Sequence, residues 1–99
     1  MPIKGQAEQE TLSSVFNALG NPIRLRILSI ISETKRPLHI KAVAKTLQMD
    51  YGAVYRHVDT LKKAGLLQVF EVGRSRVLAP LHAEISSQIF VLAQQIKPE

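Results

Sequence analysis

The sequence predicts a mainly α-helical domain with one small β-hairpin, an α+β fold of about five helices and a two-stranded ribbon. Three observations predict it. Five segments repeat apolar residues every three or four positions, the period of one helix face. One segment near residue 70 is rich in β-formers and folds back at Gly73-Arg74-Ser75. The breakers and caps Gly20, Asn21-Pro22, Pro37, Asp50, Gly65 and Pro80 fall between these segments. No internal repeat, linker or low-complexity stretch divides the 99 residues, so 1–99 reads as a single domain.

Leu12, Val15, Phe16 and Leu19 share one face of a first helix over about 8–20, with Gly20 as its stop. Asn21 can cap the next helix and Pro22 suits its first position, where an N–H would be unpaired anyway. That second helix, about 22–33, sets Ile23, Ile27, Ile30 and Ile31 inward, with Leu25 and Leu28 widening the stripe. Arg24 and Arg26 sit near its start, Lys35 and Arg36 beyond its end, and Pro37 closes the segment. Leu38-His39-Ile40 is a short strand or an extended lead-in. A short helix over about 41–47 follows, with Val43, Ala44 and Leu47 inward, then a turn at Gln48-Met49. Asp50 stands at the N-cap position of a helix over about 51–64 with Val54, Val58 and Leu61 inward, ended by Gly65. Residues 66–72 and 76–79 form the hairpin, which Pro80 breaks. The last helix, about 81–96, carries Ile85, Ile89, Leu92 and Ile96 at heptad-like spacing. A helix pair at 41–64 with a hairpin, 66–79, directly after it is the winged helix-turn-helix arrangement.

Composition narrows the function. There is no cysteine, so disulfides, zinc-thiolate sites and cysteine nucleophiles are excluded. No run approaches the length of a membrane span, and the polar segment Met1–Glu10 is unlike a signal peptide; the expectation is a soluble, cytoplasmic protein. No catalytic triad, carboxylate pair or glycine-rich phosphate loop is present, so an enzyme is not expected. Residues 1–20 and 81–99 each carry one lysine and two glutamates, net −1, which places +7 on residues 21–80 of a chain whose total is +5. A basic centre between near-neutral flanks suits a polyanion.

Leu19-Gly20-Asn21-Pro22-Ile23-Arg24-Leu25-Arg26-Ile27-Leu28 resembles the opening signature of the ArsR-type winged-helix regulators. Val54-Tyr55-Arg56-His57-Val58 and Leu61-Lys62-Lys63-Ala64-Gly65-Leu66-Leu67 resemble that family's recognition helix and entry to the wing, a pattern shared with other winged-helix families. The likeness spans roughly residues 10–96. It implies a homodimer joined through the first and last helices (10–20 and 81–96), a recognition helix in the major groove, wings near the backbone or minor groove, and double-stranded DNA as partner. Many members sense a metal. Here Leu38-His39-Ile40-Lys41-Ala42 stands where thiolate sensors carry Cys-x-Cys, and the last helix offers only His82 and Glu84, two apart and off a common helix face. No metal or cofactor is expected, and the sequence names no small-molecule effector.

On the 51–64 helix the face opposite the inward stripe holds Tyr51, Gly52, Tyr55, Arg56, Asp59 and Lys63. The N-terminal part of such a helix meets base edges, which selects Tyr51, Gly52, Tyr55 and Arg56. Arginine can pair bidentately with guanine, tyrosine can meet a phosphate or a thymine methyl, and glycine permits close approach. The rival reading is an ordinary wet helix face; two tyrosines on that face in an aromatic-poor chain weigh against it. Lys62 and Lys63 can reach phosphates or complement the helix dipole. Lys41 and Lys45, on the preceding helix, and Arg74 and Arg76, flanking the hairpin tip, complete the candidate DNA contacts. Asp59 is expected to pair with a nearby lysine or with Arg56. His57, beside the inward stripe, reads as hydrogen-bonded and half-buried, and His39 and His82 as surface residues.

The candidate dimer residues are Leu12, Val15, Phe16, Leu19, Ile85, Ile89, Phe90, Leu92 and Ile96; Phe90, Val91 and Ala93 make the last helix apolar on two sides. The expected function is a sequence-specific DNA-binding transcription regulator, a repressor acting as a homodimer. The alternative is a winged-helix protein-interaction module without DNA binding; such domains lose the basic face that this chain keeps.

Overall fold

A computed structural model describes residues 5–34 and 36–97. Lys35 and the first four residues of the polar N-terminal segment lie outside the described residues. The elements run α1 (Gln6–Leu19), α2 (Pro22–Glu33), β1 (Leu38–His39), α3 (Ile40–Leu47), α4 (Tyr51–Lys63), β2 (Leu67–Val72), β3 (Ser75–Pro80) and α5 (Ala83–Ile96). This is the expected winged helix-turn-helix, with helix ends moved by one or two residues. None of the described helices is long and apolar enough to cross a membrane.

Local chemistry explains most boundaries. The Asn21 side-chain oxygen accepts from the N–H groups of Ile23 (2.8 Å) and Arg24 (3.1 Å), satisfying two donors that the start of α2 leaves open. Gly65 takes φ +80, and the N–H groups of Gly65 and Leu66 return to the carbonyls of Lys62 and Leu61, closing α4. Gln48 closes α3 in the same left-handed region (φ 55), an uncommon place for a residue with a Cβ. Asp50 occupies the N-cap position of α4, but its carboxylate makes no capping bond.

The hairpin turns over two residues, Gly73 and Arg74, because Ser75 already pairs with Val72. Pro80 does not break β3; it is the strand's last residue, opposite Leu67. The sheet also has a third strand. β1 pairs antiparallel with β3 through Leu38–Leu78 and His39–Val77, giving the order β1-β3-β2. The wing is thereby tied to the start of α3 as well as to the end of α4.

The core is aliphatic. Ile27, Leu28 and Ile31 of α2 meet Ile40, Val43 and Leu47 of α3, Val54, Val58 and Leu61 of α4, and Leu67 and Leu78 of the sheet, all buried. α1 adds Ala18 and Leu19 at its C-terminal end only. Leu19, expected on the dimer face, is 8% exposed and belongs mainly to this core. α5 adds no buried apolar residue: Ser86 alone is buried, Ile89 and Phe90 are half-buried, and Ile85, Leu92 and Ile96 are exposed.

One polar side chain ties α1, which the core holds only at its end, to α2 and α4. Arg24, in the first turn of α2, donates from Nε to the Ala18 carbonyl (2.7 Å) and from Nη2 to the Asn17 carbonyl (3.2 Å). Its Nη1 lies 3.3 Å from Nδ1 of His57 on α4. Arg24→Met should therefore cost about 1–3 kcal/mol, measured by urea unfolding, with amide-exchange protection falling most in α1. An unchanged unfolding midpoint would show that these bonds do not hold the domain.

Candidate nucleic-acid interface

Burial of Val54, Val58 and Leu61 turns the other side of α4 to solvent. Tyr51, Gly52, Arg56, Lys62 and Lys63 are exposed, while Tyr55 and Asp59 are half-buried. Tyr51 and Tyr55, one turn apart, stack with ring planes 7° from parallel and centroids 6.5 Å apart. Lys41 and Lys45 project from the exposed face of α3. A crevice of about 20 Å³, lined by Lys41, Tyr51, Arg74 and Arg76, marks where α3, α4 and the wing meet. The structure thus brings four of the predicted residues around one point. Lys45, Lys62 and Lys63 lie apart from it.

The two wing arginines differ in placement. Arg74 is in the turn and exposed. Arg76 is not at the tip. It faces Glu71 across the ribbon, its Nη1 donates to the Tyr51 hydroxyl (3.2 Å), and its guanidinium carbon lies 4.4 Å from the Tyr55 ring centroid. Lys63 is paired as well: its Nζ lies 3.0 Å from the Asp59 carboxylate, which holds the ammonium above its usual range. Arg56, the other partner considered for Asp59, is left facing solvent.

Gly52 has no structural necessity. A Cβ built there meets nothing within 4 Å, and its φ is not positive. Glycine inside a helix is unfavourable by up to about 1 kcal/mol relative to alanine, so its place on the outer face is consistent with a surface kept bare for another molecule.

His57 lies on the flank of α4 toward α2, half-buried. Arginine can only donate, so Nδ1 facing Arg24 is the bare acceptor, and the ring is neutral with its proton on Nε2. Burial first, then the charges of Arg24 and Arg56, hold its pKa below the usual 6.5. Sequence reading placed this histidine correctly but not its partner. Arg24 and Glu71 were the residues it missed as contributors. For Arg24 a signal existed: a cation in the first turn opposes its own helix dipole, which suggests a partner elsewhere.

The geometry defines a class: a winged helix-turn-helix domain with a basic, tyrosine-bearing exposed face. The chain belongs to the HVO_A0114 family, whose model matches residues 20–84. Solved structures bear out the fold. A homodimeric winged helix-turn-helix DNA-binding domain of Mycobacterium bovis, described as a possible ArsR-family transcriptional regulator, superposes with a TM-score of 0.79 at 23% identity, covering 94% of this chain and 88% of that one. A crystal structure of an ArsR family transcriptional regulator gives a TM-score of 0.69 at 25% identity over 88% of this chain and 89% of the other. An uncharacterized HTH-type transcriptional regulator of Methanocaldococcus jannaschii is 41% identical over 51 residues, 52% of each protein. The match thus spans about half the length of that curated relative.

Two outcomes follow for the domain alone. Gly52→Ala should stabilise it by up to about 1 kcal/mol; a loss of stability on urea unfolding would show that the fold itself requires the glycine. The unfolded chain takes up the His57 proton as pH falls through 6.5, and the folded chain resists until its lower value. This contribution to stability is therefore complete above that range and is lost as pH falls from about 6.5 through the lowered pKa. His57→Gln should flatten the drop in melting temperature between about pH 7.5 and 5.5; parallel curves for the two proteins would exclude the effect.

Proposed function

We propose that the protein is a homodimeric, sequence-specific duplex-DNA-binding transcription regulator that represses by occupying its site and performs no chemistry of its own. The observation that carries this reading is the convergence of Lys41, Tyr51 and Arg74 at one crevice, next to the solvent-facing Gly52 and Arg56 of the same helix α4. The core uses none of these side chains, and +7 of charge lies on the segment that bears them. In this role Arg56 reads a base edge, Gly52 lets the helix approach, and Lys41 and Arg74 meet phosphates. Lys45, Lys62 and, once released from Asp59, Lys63 add backbone contacts.

A second copy is the proposed occupant of the groove between α1 and α5. Phe16, Leu25, Leu92 and Ile96 line an open apolar hollow of about 700 Å³, with Leu19 and Ile89 at its floor. Phe16 is 69% exposed and Ile96 78%, a large apolar surface for a domain of this size. The Mycobacterium bovis domain of the same fold is homodimeric. Leu12, Val15 and Ile85 extend the face, whereas Phe90, the other residue expected there, turns toward α2 and lines a separate hollow with Ser29, Ser32 and Glu33. Two recognition helices about a two-fold axis would then address half-sites roughly 34–36 Å apart.

Fluorescence anisotropy on random duplex across a salt series tests the function. Log K should fall with log salt with a slope of about −4 or steeper for the dimer. Absence of binding at about 50 mM salt would instead favour a protein-interaction module. On duplex selected by the protein from a random pool, Arg56→Ala should lose about 1–3 kcal/mol and relax one base preference, while Arg74→Ala should weaken all duplexes alike. Equal losses on selected and random DNA for both variants would remove the division between helix and wing. Leu92→Glu should give a monomer in analytical ultracentrifugation, its winged core still folded, that no longer selects a two-half-site duplex; a persisting dimer would place the interface elsewhere.

A further inference from the structure

The wing and the recognition helix meet at one side chain. Arg76 leaves β3 on the same sheet face as buried Leu78, two residues on. Its side chain folds back onto α4 at the point where the aliphatic core runs out. Three parts of one planar group are engaged there. Nη1 donates to the Tyr51 hydroxyl at 3.2 Å, one face covers the Tyr55 ring at 4.4 Å, and Nε sits 3.7 Å from the Glu71 carboxylate. Each contact is weak at a wet surface, but together they leave the guanidinium one orientation. The rings it joins are themselves stacked.

Arg74, two residues away, is exposed and makes no hydrogen bond or ion pair with the described residues. It can offer its whole fork to a phosphate. Arg76 cannot do so without giving up Glu71 or Tyr51. One arginine is therefore placed to reach and the other to hold.

We propose that Arg76 is a positioning residue: it acts on DNA through Tyr51 and Tyr55, fixing both rings and the wing as one preformed surface, so that its loss degrades discrimination between sequences rather than attraction to phosphate. Tyrosines released from it would have to be ordered at the moment of binding, and that cost falls on the site they fit. The role rests on the DNA-binding reading above, but the contact itself belongs to the free protein.

The test separates these two. The chain has two tyrosines and no tryptophan, so tyrosine ring resonances report Tyr51 and Tyr55 alone. In the free protein Arg76→Gln and Arg76→Lys should each shift both sets of ring resonances, and Arg74→Ala should leave them in place. On DNA, Arg76→Lys is the decisive variant, because it keeps the charge a phosphate needs and loses the planar group that holds the rings. It should bind the selected duplex roughly tenfold more weakly, bind random duplex within about twofold of wild type, and keep the wild-type slope of log K against log salt. Arg74→Ala should lower that slope by about 1. Wild-type affinity of Arg76→Lys for the selected duplex would overturn the proposal. So would equal losses on both duplexes with a slope lowered by about 1 in Arg76→Gln, which would make Arg76 a phosphate contact. If the wild-type protein binds no duplex at any salt, the DNA-binding function falls and this role falls with it, whatever the resonances show. Failure of the role alone leaves wild-type binding intact.

Discussion

Arg24 stands where a cation has little reason to be, in the first turn of α2, against the like partial charge of its own helix end. The neighbouring helix resolves the conflict. α1 ends beside it with carbonyls turned toward it, and the guanidinium donates to that of Ala18 and to that of Asn17, which also accepts from the Gly20 N–H. The same group then reaches the flank of α4, so the end of α1, the start of α2 and the back of α4 share one charge-assisted junction. Without it, α1 would be held by little more than the burial of Ala18 and Leu19. The exposed side of α4 is held, in effect, from behind.

α4 is held at its back by Arg24 and His57 and at its front by Arg76. The sheet contributes as well. β1 is only two residues long, yet by pairing with β3 it puts the start of α3 and the wing on a common frame. Lys41 and Arg74 approach the same crevice because of that short pairing. Charge on this side is partly restrained within the protein: Glu71 faces Arg76 and Asp59 holds Lys63, while Arg56 and Arg74 face solvent.

The helices were legible in the sequence because their signals are local. Asn21-Pro22 names a cap and a first turn, Gly65 names a stop, and the stripes of Ile27–Ile31 and Val54–Leu61 name buried faces. The wing strands followed from their β-formers and the glycine between them. Less legible was whatever depended on register or on a distant partner. A two-residue strand has no periodicity to read, so the pairing of Leu38 with Leu78 was invisible. Arg76 looked like a tip residue because the turn was taken one residue too long; once Ser75 is seen opposite Val72, alternation from Leu78 turns Arg76 inward. The stripe on the last helix was visible, but its destination was not. Ser86, not an isoleucine, is the residue α5 buries, and Leu19 went to the core although spacing alone set it beside Phe16.

α5 has a consequence of another kind. A helix whose one fully buried side chain is a serine, with Ile89 and Phe90 only half-covered, gains limited stability from its own domain. In the proposed dimer, the greater part of what orders it comes from another molecule. Folding of the C-terminal part and association are then a single equilibrium, and the melting temperature should depend on protein concentration. The number of copies in the cell would set how much of the protein is fully structured as well as how much DNA is occupied. A shortage of protein would lower both together, so occupancy would rise with copy number more steeply than for a pre-assembled dimer.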